Sequence, residues 1–366
     1  MEHGGDIYTE GSLKGKTLLD FSSNINPLGI PKSFTNHLTQ AVERMQVYPD
    51  IQYRLSKGYI CEYLNKGSHF FYPTGEELDF GFHEEDIVLG NGAGEIIDIA
   101  IGSLESICIV MPSFVEYKKS AIKNGVKIVY SYLNHDMTIN YEDLAQKARE
   151  VEGIIIGNPN NPNGGIIDKQ KLQPILEYCQ GSQKKVIIDE AFIEFTGRAG
   201  VSLLSLAKDY PCICIIRALT KFYGMPGVRF GYSVSKDRDF NILMRARQIP
   251  WNINTFAELA LEYVLKDEDY IGETLKWIET EKKYFLEQLR ILKIIEKVYP
   301  TQANFVLVKL AQKTGTQLYD QLLCKRILIR TCKNYEGLGD KYVRFAIKSP
   351  EDNQLLLESL SQIKFI

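Results

Sequence analysis

The stretch Arg217-Ala218-Leu219-Thr220-Lys221-Phe222-Tyr223-Gly224-Met225-Pro226-Gly227-Val228-Arg229-Phe230-Gly231-Tyr232 decides how the rest of the chain is read. It follows the continuous apolar run Ile213–Ile216, which reads as a buried strand. A lysine is ordinarily a solvated surface group. Lys221 instead sits among aromatic and small residues just past that strand, with Arg229 eight positions on. An amine partly withdrawn from water gives up its proton more readily and can attack a carbonyl.

Outward from this segment, short apolar runs alternate with longer amphipathic stretches. The expected strands are Asp86–Leu89, Ser106–Met111, Lys127–Tyr132, Gly153–Ile156, Lys185–Ile188, Ile213–Ile216 and Phe230–Val234, with helix-length segments such as Leu172–Cys179 between them. That alternation predicts an α/β architecture, a mainly parallel seven-stranded sheet between helices. After Pro250 the pattern changes. Helices are expected over Thr255–Leu265 and Tyr270–Leu292, strands over Ala303–Val308, Ile327–Arg330 and Tyr342–Ala346, and a last helix over Glu351–Ile363. This predicts a smaller α+β domain. The start of the chain holds an extended piece, Leu18–Phe21, and the turn-prone Asn24-Ile25-Asn26-Pro27. The expected organisation is an arm over residues 1–35 packed on the small domain, a large domain over 36–250 and a small domain over 251–366.

Open parallel sheets bind ligands at the carboxyl ends of their strands, and polar clusters stand at several of these ends here. Gly90-Asn91-Gly92-Ala93-Gly94-Glu95 offers glycines and a helix N-terminus to an anion, although a plain strand–helix turn accounts for it equally well. Gly157-Asn158-Pro159-Asn160-Asn161-Pro162-Asn163-Gly164-Gly165 has two Asn-Pro steps directly after a buried strand, more than a turn needs. Asp189-Glu190 closes an apolar strand, where a carboxylate either caps a helix or faces a cation or donor. In the smaller domain Arg330 and Arg344 end or interrupt apolar strands, and a guanidinium fork suits carboxylates and phosphates.

Composition narrows the classes. The 366 residues are 45% hydrophobic and 24% charged, as in an average globular protein of about two domains. Forty-three Lys and Arg against 46 Asp and Glu give a net charge of −3, which speaks against a dedicated nucleic-acid binder. Seven scattered cysteines without a C-x-x-C, several inside apolar runs, read as buried hydrophobes in a reducing compartment. The five histidines show no metal-ligand spacing, so no metal is expected. Met1–Lys16 has no apolar core of a signal peptide and no stretch reaches the ~20 apolar residues of a membrane helix, so a cytoplasmic protein is expected.

A glycine-rich turn, an Asn-Pro turn, a strand-end Asp and a Lys with a following Arg, in that order, resemble the pyridoxal phosphate enzymes of the aspartate aminotransferase fold. The resemblance runs essentially from end to end and implies pyridoxal 5′-phosphate as cofactor. It implies that Lys221 is the Schiff-base lysine, Asp189 the partner of the pyridine nitrogen and Asn161 the donor to the ring oxygen. Arg229 then holds the phosphate, Phe114 of Pro112-Ser113-Phe114-Val115-Glu116-Tyr117 stacks on the ring, and Ala93 and Gly94 cradle the phosphate. Tyr48 resembles the tyrosine that reaches the phosphate of the neighbouring subunit, which implies a homodimer. Two positions depart from the pattern. Ala218 replaces a common Ser or Thr, leaving Thr220 as the nearer hydroxyl, and Phe192 stands where aminotransferases usually carry a tyrosine touching the ring oxygen.

Within the fold the chain is most similar to histidinol-phosphate aminotransferases and to the threonine-phosphate decarboxylases of cobalamin synthesis. Four stretches lean to the decarboxylases: His3-Gly4-Gly5, Asp20-Phe21-Ser22-Ser23-Asn24-Ile25-Asn26-Pro27-Leu28-Gly29, Pro250-Trp251-Asn252-Ile253-Asn254 and Ile329-Arg330-Thr331-Cys332-Lys333-Asn334. The resemblance implies a small phosphorylated amino acid as substrate, O-phospho-L-threonine, decarboxylated to aminopropanol phosphate. Arg330 and Arg344 are the implied anchors for its carboxylate and phosphate, with His3, Asn26 and Asn161 as further substrate-side groups. The alternative is an aminotransferase of the histidinol-phosphate type with the same cofactor residues.

Overall fold

The computed structural model describes residues 3–65 and 80–363. A short strand near the start, β1 (Leu19–Asp20), is followed by the seven strands of the central sheet. These are β2 (Ile87–Gly90), β3 (Ser106–Met111), β4 (Lys127–Tyr132), β5 (Gly153–Gly157), β6 (Lys185–Asp189), β7 (Ile213–Ala218) and β8 (Gly231–Val234). Their order is β2-β8-β7-β6-β5-β3-β4. β8 runs antiparallel to both of its neighbours, and the other pairings are parallel. The expectation of a mainly parallel seven-stranded sheet between helices is met, with strand ends shifted by one or two residues. β5 and β7 are buried along their whole length, as continuous apolar runs require of strands covered on both faces.

Beyond the central sheet come β9 (Ile295–Val298), β10 (Phe305–Leu310), β11 (Ile327–Leu328), β12 (Arg330–Thr331) and β13 (Tyr342–Ala346). Four of them form an antiparallel sheet in the order β12-β13-β10-β9. β9 is not expected from the sequence: its residues Ile295-Glu296-Lys297-Val298 are only half apolar and largely solvent-facing, so it carries little hydrophobic signal. The single strand expected over Ile327–Arg330 is two. β11 pairs with β1 in parallel, Leu19 opposite Ile327, and after Ile329 the chain changes partner to β13. The N-terminal segment is thereby stitched to the C-terminal elements, and the Ala346 amide adds a bond to Phe21 O at 2.9 Å.

Helix starts follow their side-chain caps. Asp168 accepts from the amides of Gln170 and Lys171 to open Lys169–Gly181, and Asp267 accepts from Tyr270 to open Glu268–Arg290. Among the described residues no helix is long and apolar enough to cross a membrane.

Register decides where the polar strand ends meet. Gly157 lies opposite Asp189, Asp189 opposite Ile216, Ala218 opposite Gly231 and Gly231 opposite Gly90. The segments leaving β2, β3, β5, β6 and β7 therefore emerge along one edge of the sheet. The β12–β13 loop and residues 22–24 cover that edge.

Candidate active site

A cavity of about 320 Å³ opens at this edge, and Lys221, Asp189, Asn161, Arg229, Arg330 and Arg344 all line it. Lys221 is the third residue of a one-turn helix, Leu219–Phe222, that begins where β7 ends. Burial lowers its ammonium pKa from 10.5 to about 8, and the nearby Arg344 and Arg229 guanidiniums add to the effect. Beneath it, the Asn26 amide N–H donates to Lys221 O at 3.2 Å and holds the turn in place.

Asp189 is the last residue of β6 and only 7% exposed. Its Oδ2 accepts from the Tyr117 hydroxyl at 2.6 Å, and its Oδ1 from the Ala191 amide at 3.0 Å. Burial raises its pKa, while these two donors pull the other way. The adjacent Glu190 faces the opposite side of the strand, as the two-residue period demands. It meets Arg217 of β7, whose Nε and Nη2 donate to Glu190 Oε2 at 3.1 and 2.9 Å. Ser202 and the Leu203 amide complete the shell. Glu194 lies in the same buried cluster with its carboxyl pushed up to about 7 by burial. This cluster braces the ends of β6 and β7, the two strands that deliver Asp189 and Lys221.

At the N-terminus of the helix Ala93–Gly102, Gly92 has φ +83°, and a Cβ there would lie 2.5 Å from Arg229 Nη2. A Cβ on Gly231 would lie 2.3 Å from the Ala93 amide nitrogen. The missing side chains thus let a guanidinium and free helix N–H groups converge beside Ala93 and Gly94, a cradle suited to a phosphate. Thr220 and Ala218 also line the cavity. Phe114 caps the helix Val115–Lys123 and packs edge-on to Tyr117, ring centroids 5.8 Å apart. Phe192 packs edge-on to Phe305 at 5.0 Å. A buried amine, a buried strand-end carboxylate, an aromatic wall and a phosphate cradle in one cavity fit pyridoxal phosphate. Lys221 would take its aldehyde, Asp189 its ring nitrogen, and Arg229 with the helix N-terminus its phosphate.

Two buried arginines close the other side. Arg330 donates to Asn334 Oδ1 at 2.9 Å and lies over the Tyr335 ring at 5.1 Å. Arg344 donates to Asn161 Oδ1 at 2.7 Å and to Ser22 O at 2.6 Å, and its buried Nε–H has no acceptor among the described residues. Among the described residues no carboxylate lies within salt-bridge distance of Arg344. His3 reaches the rim, where Nε2 lies 3.1 Å from Glu116 Oε1 and 3.3 Å from Lys119 Nζ.

Two of the residues singled out in the sequence lie elsewhere. Asn26 does not line the cavity. Its Nδ2 donates to Phe222 O and to Thr274 Oγ1, and its Oδ1 accepts from the Leu28 amide, so the turn before Pro27 consumes the side chain. Asn24, two residues earlier, lines the cavity instead with Ser22 and Ser23, and its buried Oδ1 has no partner among the described residues. Tyr48 is 78% exposed and packs with tilted rings against Trp251, centroids 4.7 Å apart, outside the cavity. Sequence reasoning also passed over Tyr117 and Tyr335. Tyr117 stands three residues after Phe114, one helical turn along, and that spacing is the signal that could have found it. Tyr335 gave no such signal. Among the described residues no group of three or more His, Cys, Asp or Glu is placed to hold a metal, and His69 lies outside the described residues.

The sequence over residues 16–360 matches the family model for aminotransferase class I and II. The threonine-phosphate decarboxylase of Salmonella typhimurium is 33% identical over 368 residues, covering 99% of this chain and 96% of that protein. The histidinol-phosphate aminotransferase of Methanocaldococcus jannaschii is 25% identical over 359 residues, covering 96% of this chain and 90% of that protein. Among solved structures, that of the histidinol-phosphate aminotransferase from Clostridium acetobutylicum superposes with a TM-score of 0.87 at 47% identity, covering 94% of this chain and 98% of that one.

Proposed function

The chain belongs to the aminotransferase class I and II family and is a pyridoxal phosphate enzyme, and we propose that it is a carboxy-lyase that converts O-phospho-L-threonine to aminopropanol phosphate and CO2. When bound, the cofactor supplies an electron sink for a bond broken at the substrate α-carbon. Asp189 keeps the pyridine nitrogen protonated, and Tyr117 and the Ala191 amide hold that carboxylate in place. Lys221, its ammonium pKa lowered to about 8 by burial, gives up its proton far more readily than an exposed lysine, and once displaced by the substrate amine it would be placed to return a proton to the α-carbon after CO2 has left. Arg344 takes the substrate carboxylate, and Arg330 takes the phosphate with Asn24 and His3 beside it.

The observation that carries this reading is the pair of buried arginines facing one cavity, Arg344 with an Nε–H that meets no acceptor among the described residues. A substrate with a carboxylate and a phosphate on either side of an amine-bearing carbon matches two guanidiniums at once; histidinol phosphate has no carboxylate, and on the aminotransferase reading only the keto-acid partner would bring one. The four stretches at His3-Gly4-Gly5, Asp20–Gly29, Pro250–Asn254 and Ile329–Asn334 support the same choice.

A second reading has one observation in its favour: the solved structure that shares 47% identity is that of a histidinol-phosphate aminotransferase. On that reading the same residues would break the α-carbon–hydrogen bond, and Lys221 would move the proton. Incubation of the loaded protein with O-phospho-L-threonine and no keto acid separates the two. Repeated release of CO2 and amine supports the decarboxylase. A keto product with a single conversion of the cofactor to its amine form supports the aminotransferase.

We further propose a homodimer. Met45, Val47, Tyr48 and Trp251 are exposed and line one hollow beside the Tyr48–Trp251 ring contact, and Ile51, Leu55 and Ile249, close to them in sequence, are exposed as well, apolar surface of the kind that a second copy covers. Sedimentation of Tyr48→Glu as a monomer, where the wild type sediments as a dimer, would support it.

A further inference from the structure

The Asn161 side-chain oxygen is held by two donors, one from β13 and one from the β12–β13 loop. Arg344 Nη1 lies 2.7 Å from Oδ1, and the Tyr335 hydroxyl 3.2 Å. Two donors on the oxygen fix which end of the amide faces them, and leave Nδ2, which has no hydrogen bond to any described residue, as the group available to the cavity. Tyr335 is itself anchored. It is 3% exposed, and its ring lies under the Arg330 guanidinium at 5.1 Å. Its loop is pinned by bonds from the Tyr335 amide to Cys332 O and from the Leu338 amide to Tyr335 O. The next residue, Glu336, pairs with Lys118 at 2.8 Å, on the helix whose first turn carries Tyr117. One phenol therefore touches the amide facing the cofactor cavity while its ring touches one of the two substrate-side arginines.

We propose that Tyr335 is a positioning residue: its hydroxyl fixes the orientation of the Asn161 amide, so that Nδ2 donates to the cofactor ring oxygen, and it couples that donor to the seating of Arg330. The proposal rests on the reading of Asn161 as the ring-oxygen donor. A donor onto that oxygen stabilises its negative charge most when the neighbouring imine nitrogen has lost its proton. A steadier donor therefore lowers the pH at which the lysine-bound cofactor loses that proton, and a loosened one raises it.

The test is Tyr335→Phe, which keeps the ring against Arg330 and removes only the hydroxyl, with thermal melting as the check of folding. The readouts are the dissociation constant for pyridoxal phosphate and the pH midpoint of the visible band of the bound cofactor. Binding is expected to weaken roughly threefold to tenfold, the range carried by one neutral hydrogen bond, and the midpoint to move upward. In an Asn161→Ala background the same substitution is expected to add little, because both act through one amide. If Asn161→Ala moves the midpoint and Tyr335→Phe leaves it in place, the proposal fails while the reading of Asn161 stands. An equal shift from Tyr335→Phe with and without Asn161 also overturns it. If Asn161→Ala itself leaves the midpoint unmoved, the reading of Asn161 falls and takes the proposal with it.

Discussion

Replacing Lys221 with methionine should make the cofactor-free protein more stable while abolishing turnover. The folded state holds this ammonium at a cost, since its pKa falls from 10.5 to about 8 and Nζ has no hydrogen-bond or ion-pair partner among the described residues. A drop of that size corresponds to ~3 kcal/mol at neutral pH, at ~1.4 kcal/mol per unit. Lys221 opens onto the cavity, where water screens part of the cost, so the expected gain is about 1–3 kcal/mol. The sign follows from proton binding. Between the folded value of about 8 and the unfolded 10.5 the unfolded chain holds more protons, so wild-type stability rises with pH through that window. Methionine has no proton to lose, so its advantage is full below pH 8 and fades as pH approaches 10.5. Urea unfolding of both apo-proteins at one protein concentration, at pH 7 and pH 10, measures it. Equal stability at pH 7, or an advantage of the same size at pH 10, would refute the reasoning.

Gly92→Ala places a Cβ 2.5 Å from Arg229 Nη2 in a residue at φ +83°, and should weaken pyridoxal phosphate binding by about tenfold or more in a fluorescence titration; unchanged affinity would remove Arg229 from the phosphate cradle. Arg217→Met leaves Glu190 buried without its cation and should cost about 3–5 kcal/mol in chemical denaturation, partly restored by adding Glu190→Gln; a loss below about 1 kcal/mol would contradict the bracing of β6 and β7. Tyr117→Phe removes the hydroxyl from Asp189 and should lower kcat roughly fivefold to tenfold with little change in KM, in line with one lost hydrogen bond; a change in KM alone would place Tyr117 on the substrate side.

Much of the fold was legible because buried parallel strands are written as continuous apolar runs. Ile213–Ile216 and Ser106–Met111 are visible without any structure, and Lys221 is conspicuous because a cation directly after such a run has few ordinary reasons to be there. β9 was not legible, since an edge strand half open to water needs no apolar pattern. The substrate side was harder. Asn24 and Asn26 have the same side chain two residues apart, and only the tertiary bonds to Phe222 and Thr274 reveal that Asn26 serves the turn while Asn24 faces the cavity. Tyr335 lies far along the chain from Asn161, and their contact depends on how the antiparallel sheet docks over the strand ends. Local pattern carries no information about such a distance.

The central claim is that the bond broken at the substrate α-carbon is the one to the carboxylate. The most direct measurement supplies O-phospho-L-threonine deuterated at that carbon and weighs the amine product by mass spectrometry. Retention of the deuterium in the amine, with one CO2 released per amine, is the predicted result. Loss of the deuterium to solvent, with a keto product and no CO2, would contradict it.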